Sequence, residues 1–174
     1  HVYAYAKNGI IKYVGSSTCT ILNASTGNYT IMGTSAVNHS QLVRYYKANN
    51  PYPEFYEKSD APTIEDFCRI YLEECAAEGV KAEVAFCQSM KETGFLRYDG
   101  DAKIEQYNFA GLDTTGRQED GSVDRGRTYS SVQEGIRAHV QRLKAYAVKG
   151  TTPESFAHPC IDSDKYTPWW TSTI

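Results

Sequence analysis

The stretch that most constrains this chain is "VKAEVAFCQSMKETGF", residues 80 to 95. At helical period Val80, Ala82, Val84, Phe86 and Met90 point in most directions around the axis. Glu83, Cys87 and Lys91 leave one narrow wet row. A helix apolar on nearly every side is stable in water only when other elements surround it. Further helices are therefore expected to wrap around this one. Ala85, Gln88, Ser89 and Glu92 form another row, at i, i+3, i+4 and i+7. Unpaired buried polar groups cost about 1–3 kcal/mol, so this row of small and polar side chains is expected to face a cleft.

The flanking sequence supplies the surrounding helices. One runs from Asn38 to Ala48 with Leu42, Tyr45 and Tyr46 inward, and "NNPYPEFYEKSDAPT" breaks it with three prolines. The next starts at an N-capping Thr63 and stops at Gly79. Its apolar stripe is Ile64, Phe67, Cys68, Tyr71 and Cys75, and its wet side Glu65, Glu73, Glu74 and Glu78. Ser131 to Glu134 read as a capping box opening a last helix to Gly150, with Val132, Ile136, Val140, Leu143 and Ala147 inward. Residues 98–129 are rich in Gly, Asp and Thr and are expected to form a loop or small β region. The tail from 151 is aromatic-rich and broken by prolines. At the other end, "VYAYAKNGIIKYVG" sets two strand-like runs around Asn8-Gly9, a hairpin signal. The expected architecture is α+β and predominantly α. It comprises a β-rich appendage or linker over 1–30 and one domain over 31–174.

Composition narrows the function. With 174 residues, 41% hydrophobic and 22% charged, the chain can bury one core. A net charge of −3 without a basic stripe argues against nucleic acid. No apolar run reaches the roughly 18 residues of a membrane span. The four histidines are scattered and neither CxxC nor HExxH occurs, so no metal or other cofactor is expected. Five cysteines leave at least one thiol unpaired within the chain. Cys68 and Cys75, on one helix, would sit about 10 Å apart, beyond the roughly 7 Å a disulfide spans. Fourteen tyrosines suit either core packing or an amphipathic ligand such as a sugar.

Glu92 sits where a negative charge is least welcome, because the carbonyl end of a helix carries about −0.5 charge. Shielding by Phe86, Phe95 or Leu96 would act in the same direction. Both effects favour the protonated acid, the form that a general acid for glycosidic cleavage requires. A solvated glutamate at a helix end is the alternative.

"AFCQSMKETGF", "YNFAGLDTTG" and "RTYSSVQEGIRAHVQRLKAYA", in that order, resemble the glucosaminidase domains of glycoside hydrolase family 73 over residues 31 to 150. "PCIDSDKYTPWW" is similar as a weaker continuation. The resemblance implies a lysozyme-like helical domain whose small β or loop lobe lines a cleft. The implied activity is that of an endo-β-N-acetylglucosaminidase cutting peptidoglycan glycan strands, from a secreted or wall-associated monomer. A lytic transglycosylase and a silent wall-binding module are the alternatives. Carried over by position, Glu92 matches the general acid. Asn108, Phe109, Ala110 and Gly111 match the cleft segment, although the commoner pattern there is Asn-Leu-Phe-Gly. Tyr129 matches the tyrosine before the last helix, Tyr166 a late tyrosine near the scissile bond, and Gln88 would reach the same groove. For a second carboxylate the resemblance points to "RQEDGSVD", hence Glu119, Asp120 or Asp124, with Glu105 as an alternative and the substrate's own acetamido group as another route. Tyr98, Tyr107, Phe109, Tyr129, Trp169 and Trp170 are candidate stacking rings, the tryptophans equally suited to packing the tail.

Overall fold

The computed structural model describes residues 4–7, 10–13, 18–20, 30–100, 102–113, 116–117, 123–124 and 126–166. Four helices form the body: α1 (His39–Lys47), α2 (Ile64–Glu78), α3 (Ala82–Glu92) and α4 (Val132–Ala147). Strands β1 (Ala4–Lys7), β2 (Ile10–Tyr13) and β3 (Thr18–Thr20) make an antiparallel sheet in that order. Lys7 pairs with Ile10, the register expected of a hairpin, while Asn8 and Gly9 lie outside the described residues. Between α3 and α4, β4 (Gly116–Arg117) pairs antiparallel with β5 (Val123–Asp124). The fold is predominantly α, as the periodicity predicts, and none of the described helices is long and apolar enough to cross a membrane.

Capping fixes where the helices begin. Asn38 accepts from the Gln41 N–H at 3.0 Å while the Gln41 side chain accepts from the Asn38 N–H at 2.9 Å, a reciprocal box at the head of α1. Thr63 accepts from the Asp66 N–H at 3.1 Å on α2. On α4 only half of the predicted box forms. Ser131 accepts from the Glu134 N–H at 3.1 Å, but the Glu134 carboxylate takes the Ser130 N–H at 2.5 Å instead. Asp60, remote in sequence, completes the cap by accepting from Val132 and Gln133 N–H at 2.9 and 2.8 Å. A carboxylate there also opposes the positive helix start. α4 ends at Ala147, short of the expected Gly150, and Ala147 is exposed.

Phe67 of α2 is the hub of the core. Its ring meets Tyr71 at 5.3 Å, Phe86 at 6.2 Å and Phe109 at 5.1 Å, drawing α3 and the loop after it onto α2. α4 closes the far side with Val132, Ile136 and Val140. It approaches the 104–107 turn so closely that a Cβ on Gly135 would stand 1.9 Å from the Tyr107 carbonyl oxygen.

Two of the expected wet faces are only partly wet: Glu65, Glu73 and Lys91 are exposed, and the rest are buried. Glu74 and Glu78 are 0% and 3% exposed, because α4 and the tail cover that side of α2 with basic groups. Glu83 and Cys87 are buried as well. Residues 31–36 cross over them, bonding Gly33 N–H to the Gly79 carbonyl at 2.8 Å and Ala36 N–H to Glu83 at 3.1 Å. Ala85 and Ser89 are also buried, which reduces the cleft-facing row to Gln88 and Glu92. Cys68, Cys75 and Cys87 are buried free thiols.

Candidate active site

The end of α3 is locked by its own backbone. Glu92 is the last helical residue, Thr93 the cap and Gly94 left-handed at φ 59°. Phe95 N–H donates to the Met90 carbonyl at 2.7 Å and Gly94 N–H to Lys91 at 3.4 Å, the paired bonds of a Schellman turn. The buried Thr93 hydroxyl donates to the Ser89 carbonyl at 2.8 Å and accepts from Leu96 N–H at 3.0 Å. Phe95 and Leu96 are also left-handed, at φ 59° and 61°, which bulky residues adopt only when held there. Asn50 and Tyr46 supply that hold, donating to the Phe95 carbonyl at 2.9 and 3.3 Å. Glu92 therefore stands on a rigid turn. It is exposed, and among the described residues nothing hydrogen-bonds its carboxylate. The expected shielding is missing because Phe86, Phe95 and Leu96 turn into the core.

A groove of about 330 Å³ lies between α3, the 110–113 loop and α4, lined by Gln88, Ala110, Gly111, Asp113, His139 and Arg142 among others. Gln88 and Glu92 are four residues apart on one helix face, so the acid stands one turn along from this wall. Asn108 shapes the wall from behind. Its amide donates to the Leu112 and Arg127 carbonyls at 3.0 and 3.1 Å, and its oxygen accepts from Leu112 and Ala110 N–H at 2.8 and 3.4 Å. An asparagine side chain offers four hydrogen-bonding positions, and all four are taken. Phe109 is fully buried against Phe67, so the aromatic of the Asn-Phe-Ala-Gly segment belongs to the core and Ala110-Gly111 to the groove.

Charge pairs tie the tail to this wall. Arg127 bonds Asp113 at 2.6 Å, Asp162 at 3.3 Å, and Asp164. Arg142 bonds Asp113 at 3.2 Å and Asp162 at 3.5 Å, and Lys165 bonds Asp113 at 3.3 Å. Burial pushes Asp113 up, but Arg127, Arg142 and Lys165 outweigh it and hold the carboxyl below its ordinary range. For the more buried Asp162, desolvation wins and the shift is upward. Tyr129 is buried with its hydroxyl donating to Asp162 at 3.0 Å, and Tyr166 is buried edge-on to Phe156 at 4.9 Å beneath the Arg142 guanidinium. Both tyrosines thus brace the wall, and neither ring lies open as a sugar platform. Tyr98, whose hydroxyl lies 3.3 Å from that of Tyr56, and Tyr107, packed on Phe55 at 6.0 Å, are both half-buried.

Residues 68–173 match the family model described as mannosyl-glycoprotein endo-beta-N-acetylglucosaminidase. The chain belongs to the glucosaminidase family. An uncharacterized protein of Borreliella burgdorferi is 32% identical over 118 residues, which cover 68% of this chain and 52% of that protein; the chain spans about half the length of this curated relative. No solved structure matches. Family membership makes this a glycoside-hydrolase-type domain, and the match extends through the tail as far as residue 173.

Within the glucosaminidase domain the remaining candidates separate. Glu119, Asp120, Trp169 and Trp170 lie outside the described residues, and Asp124 is on β5. Glu105 is exposed on a different surface hollow, with Lys103, Gln106, Gly126 and Thr128. Sequence reasoning missed His139, Asp113 and Arg142. His139 had one usable signal, its place beside the Ile136–Val140–Leu143 stripe, which puts it on the buried face of α4. Asp113 and Arg142 had none, because their pairing spans 29 residues and exists only in the folded chain.

Proposed function

We propose that this domain is an endo-β-N-acetylglucosaminidase acting on the glycan strands of bacterial peptidoglycan, with Glu92 as general acid, and that it works at the cell wall. The observation carrying this reading is an exposed carboxylate without a described partner, on a rigid turn one helical turn from a polar groove, in a glucosaminidase-family chain. Glu92 protonates the leaving oxygen as the anomeric carbon gains oxocarbenium character. Gln88, Ala110 and Gly111 contact the sugar, and Glu119 or Asp120, between β4 and β5 in sequence, assists.

Glu92→Gln tests the acid. It should abolish clearing of a cell-wall suspension while leaving binding to sedimented walls intact; undiminished clearing removes Glu92 from the chemistry. Mass spectrometry of the digest tests the reaction. Reducing N-acetylglucosamine ends support hydrolysis, and 1,6-anhydro-muramic ends replace it with transglycosylation.

A further inference from the structure

A buried relay ends at the groove wall. The Tyr71 hydroxyl of α2 lies 3.1 Å from His139 Nδ1, and His139 Nε2 lies 3.1 Å from Gln88 Oε1. Tyr71 and His139 are both fully buried, and His139 also borders the groove. One neutral tautomer satisfies both contacts: the Tyr71 O–H donates to Nδ1, and Nε2–H donates to Oε1. The other tautomer would set a bare nitrogen lone pair against the amide oxygen. Burial keeps the ring neutral, pushing His139 down to about 3. With Oε1 engaged, the NH2 is the end of the amide left to the groove, and among the described residues nothing accepts from it.

We propose that Gln88 is a specificity-determining donor, held by His139 and Tyr71 so that its NH2 meets an acceptor oxygen of the bound glycan, such as an acetamido carbonyl. This rests on the glycosidase reading above. The two ends of a glutamine amide are nearly equal in shape, so an unheld Gln88 would offer its oxygen to that acceptor as readily as its NH2. His139 removes the wrong orientation before substrate arrives. This lowers the ordering cost of binding, and His139 and Tyr71 act as positioning residues.

A double-mutant cycle tests the coupling. Gln88→Ala should lower kcat/KM by about tenfold and His139→Phe by about two- to tenfold, both expressed in KM because bound substrate already makes the contact. The double variant should be no worse than Gln88→Ala alone. Tyr71→Phe, which removes one hydroxyl and keeps the ring, should give a smaller loss that also vanishes in the Gln88→Ala background. Losses that add would overturn the relay. Nitrogen-15 NMR of the parent provides a reading independent of folding defects in the variants. A neutral, Nε2-protonated His139 is expected from about pH 5 to about pH 8; an Nδ1-protonated or cationic ring rules the mechanism out. Wall binding in the Glu92→Gln background separates this proposal from the acid. There Gln88→Ala should weaken binding about tenfold, and unchanged binding sinks the donor whatever Glu92 does.

Discussion

Glu78 and Glu92 each close a helix and have opposite fates. Each is the last residue of its helix, and both helices end in a Schellman turn at a left-handed glycine, Gly79 directly after Glu78 and Gly94 one residue further on, past Thr93. Glu78 is buried. Lys144 meets it at 2.7 Å, and the N–H groups of Ala157 and His158 donate to it at 2.9 and 3.3 Å. Glu92 is exposed and has no hydrogen-bond partner among the described residues. One acid staples the tail to the body and the other is kept available. Both helices end in the same kind of turn, and the tertiary surroundings supply partners to one acid and, among the described residues, none to the other.

The comparison breaks most sharply at Glu92. Glu92→Gln should cut the rate by roughly 10²–10⁴-fold, the range for losing a general acid, and leave the thermal midpoint at the parent value, as expected of an exposed isosteric change. A stability loss there would erase the contrast. Glu78→Ala should do the reverse. Removing one partner of a buried pair costs about 3–5 kcal/mol, seen as an earlier denaturation midpoint, with activity per folded molecule retained.

Acid sharpens the contrast further. Burial pushes Glu74 up, but Arg137 at 2.8 Å and Gln133 at 2.9 Å outweigh it, leaving the carboxyl below its ordinary range. A depressed carboxyl contributes stability above its unfolded value and loses it as pH falls through its folded one. Denaturant unfolding should therefore show stability dropping below about pH 4.3, and Glu74→Gln should flatten that drop. An equal drop in parent and variant would remove Glu74 as its source. The smallest effect belongs to Gly94→Ala. A Cβ there meets nothing closer than Arg97 Nη2 at 3.9 Å, so only the left-handed backbone resists it. The expected cost is about 1–2 kcal/mol, read from denaturation. A neutral result would mean the turn tolerates a side chain and that its rigidity comes from the Asn50 and Tyr46 clamp.

Much of the fold is legible in the sequence. Thr63 and Gly79 bracket α2, Ser131 opens α4, and the all-round apolar character of residues 80–90 marks the central helix, because caps and periodicity act within a few residues. The errors share a cause. Periodicity assigns Glu74, Glu78 and Glu83 to water because it records polarity and is blind to partners from Arg137, Lys144 or Ala36. The motifs assign Tyr129, Tyr166 and Phe109 to the cleft, but a ring in sequence gives no sign of whether it will meet sugar or, as here, Asp162, Phe156 and Phe67.

The amino-acid order by itself determined four helices, where each begins, and a glutamate set at the terminus of the most buried one, because backbone hydrogen bonding and side-chain period are local. Tertiary structure decided which carboxylates were neutralised and which was left open, and turned a histidine with no sequence motif into the support of a groove wall. Those outcomes depend on charges and lone pairs meeting across tens of residues, and such meetings exist only once the chain has closed on itself.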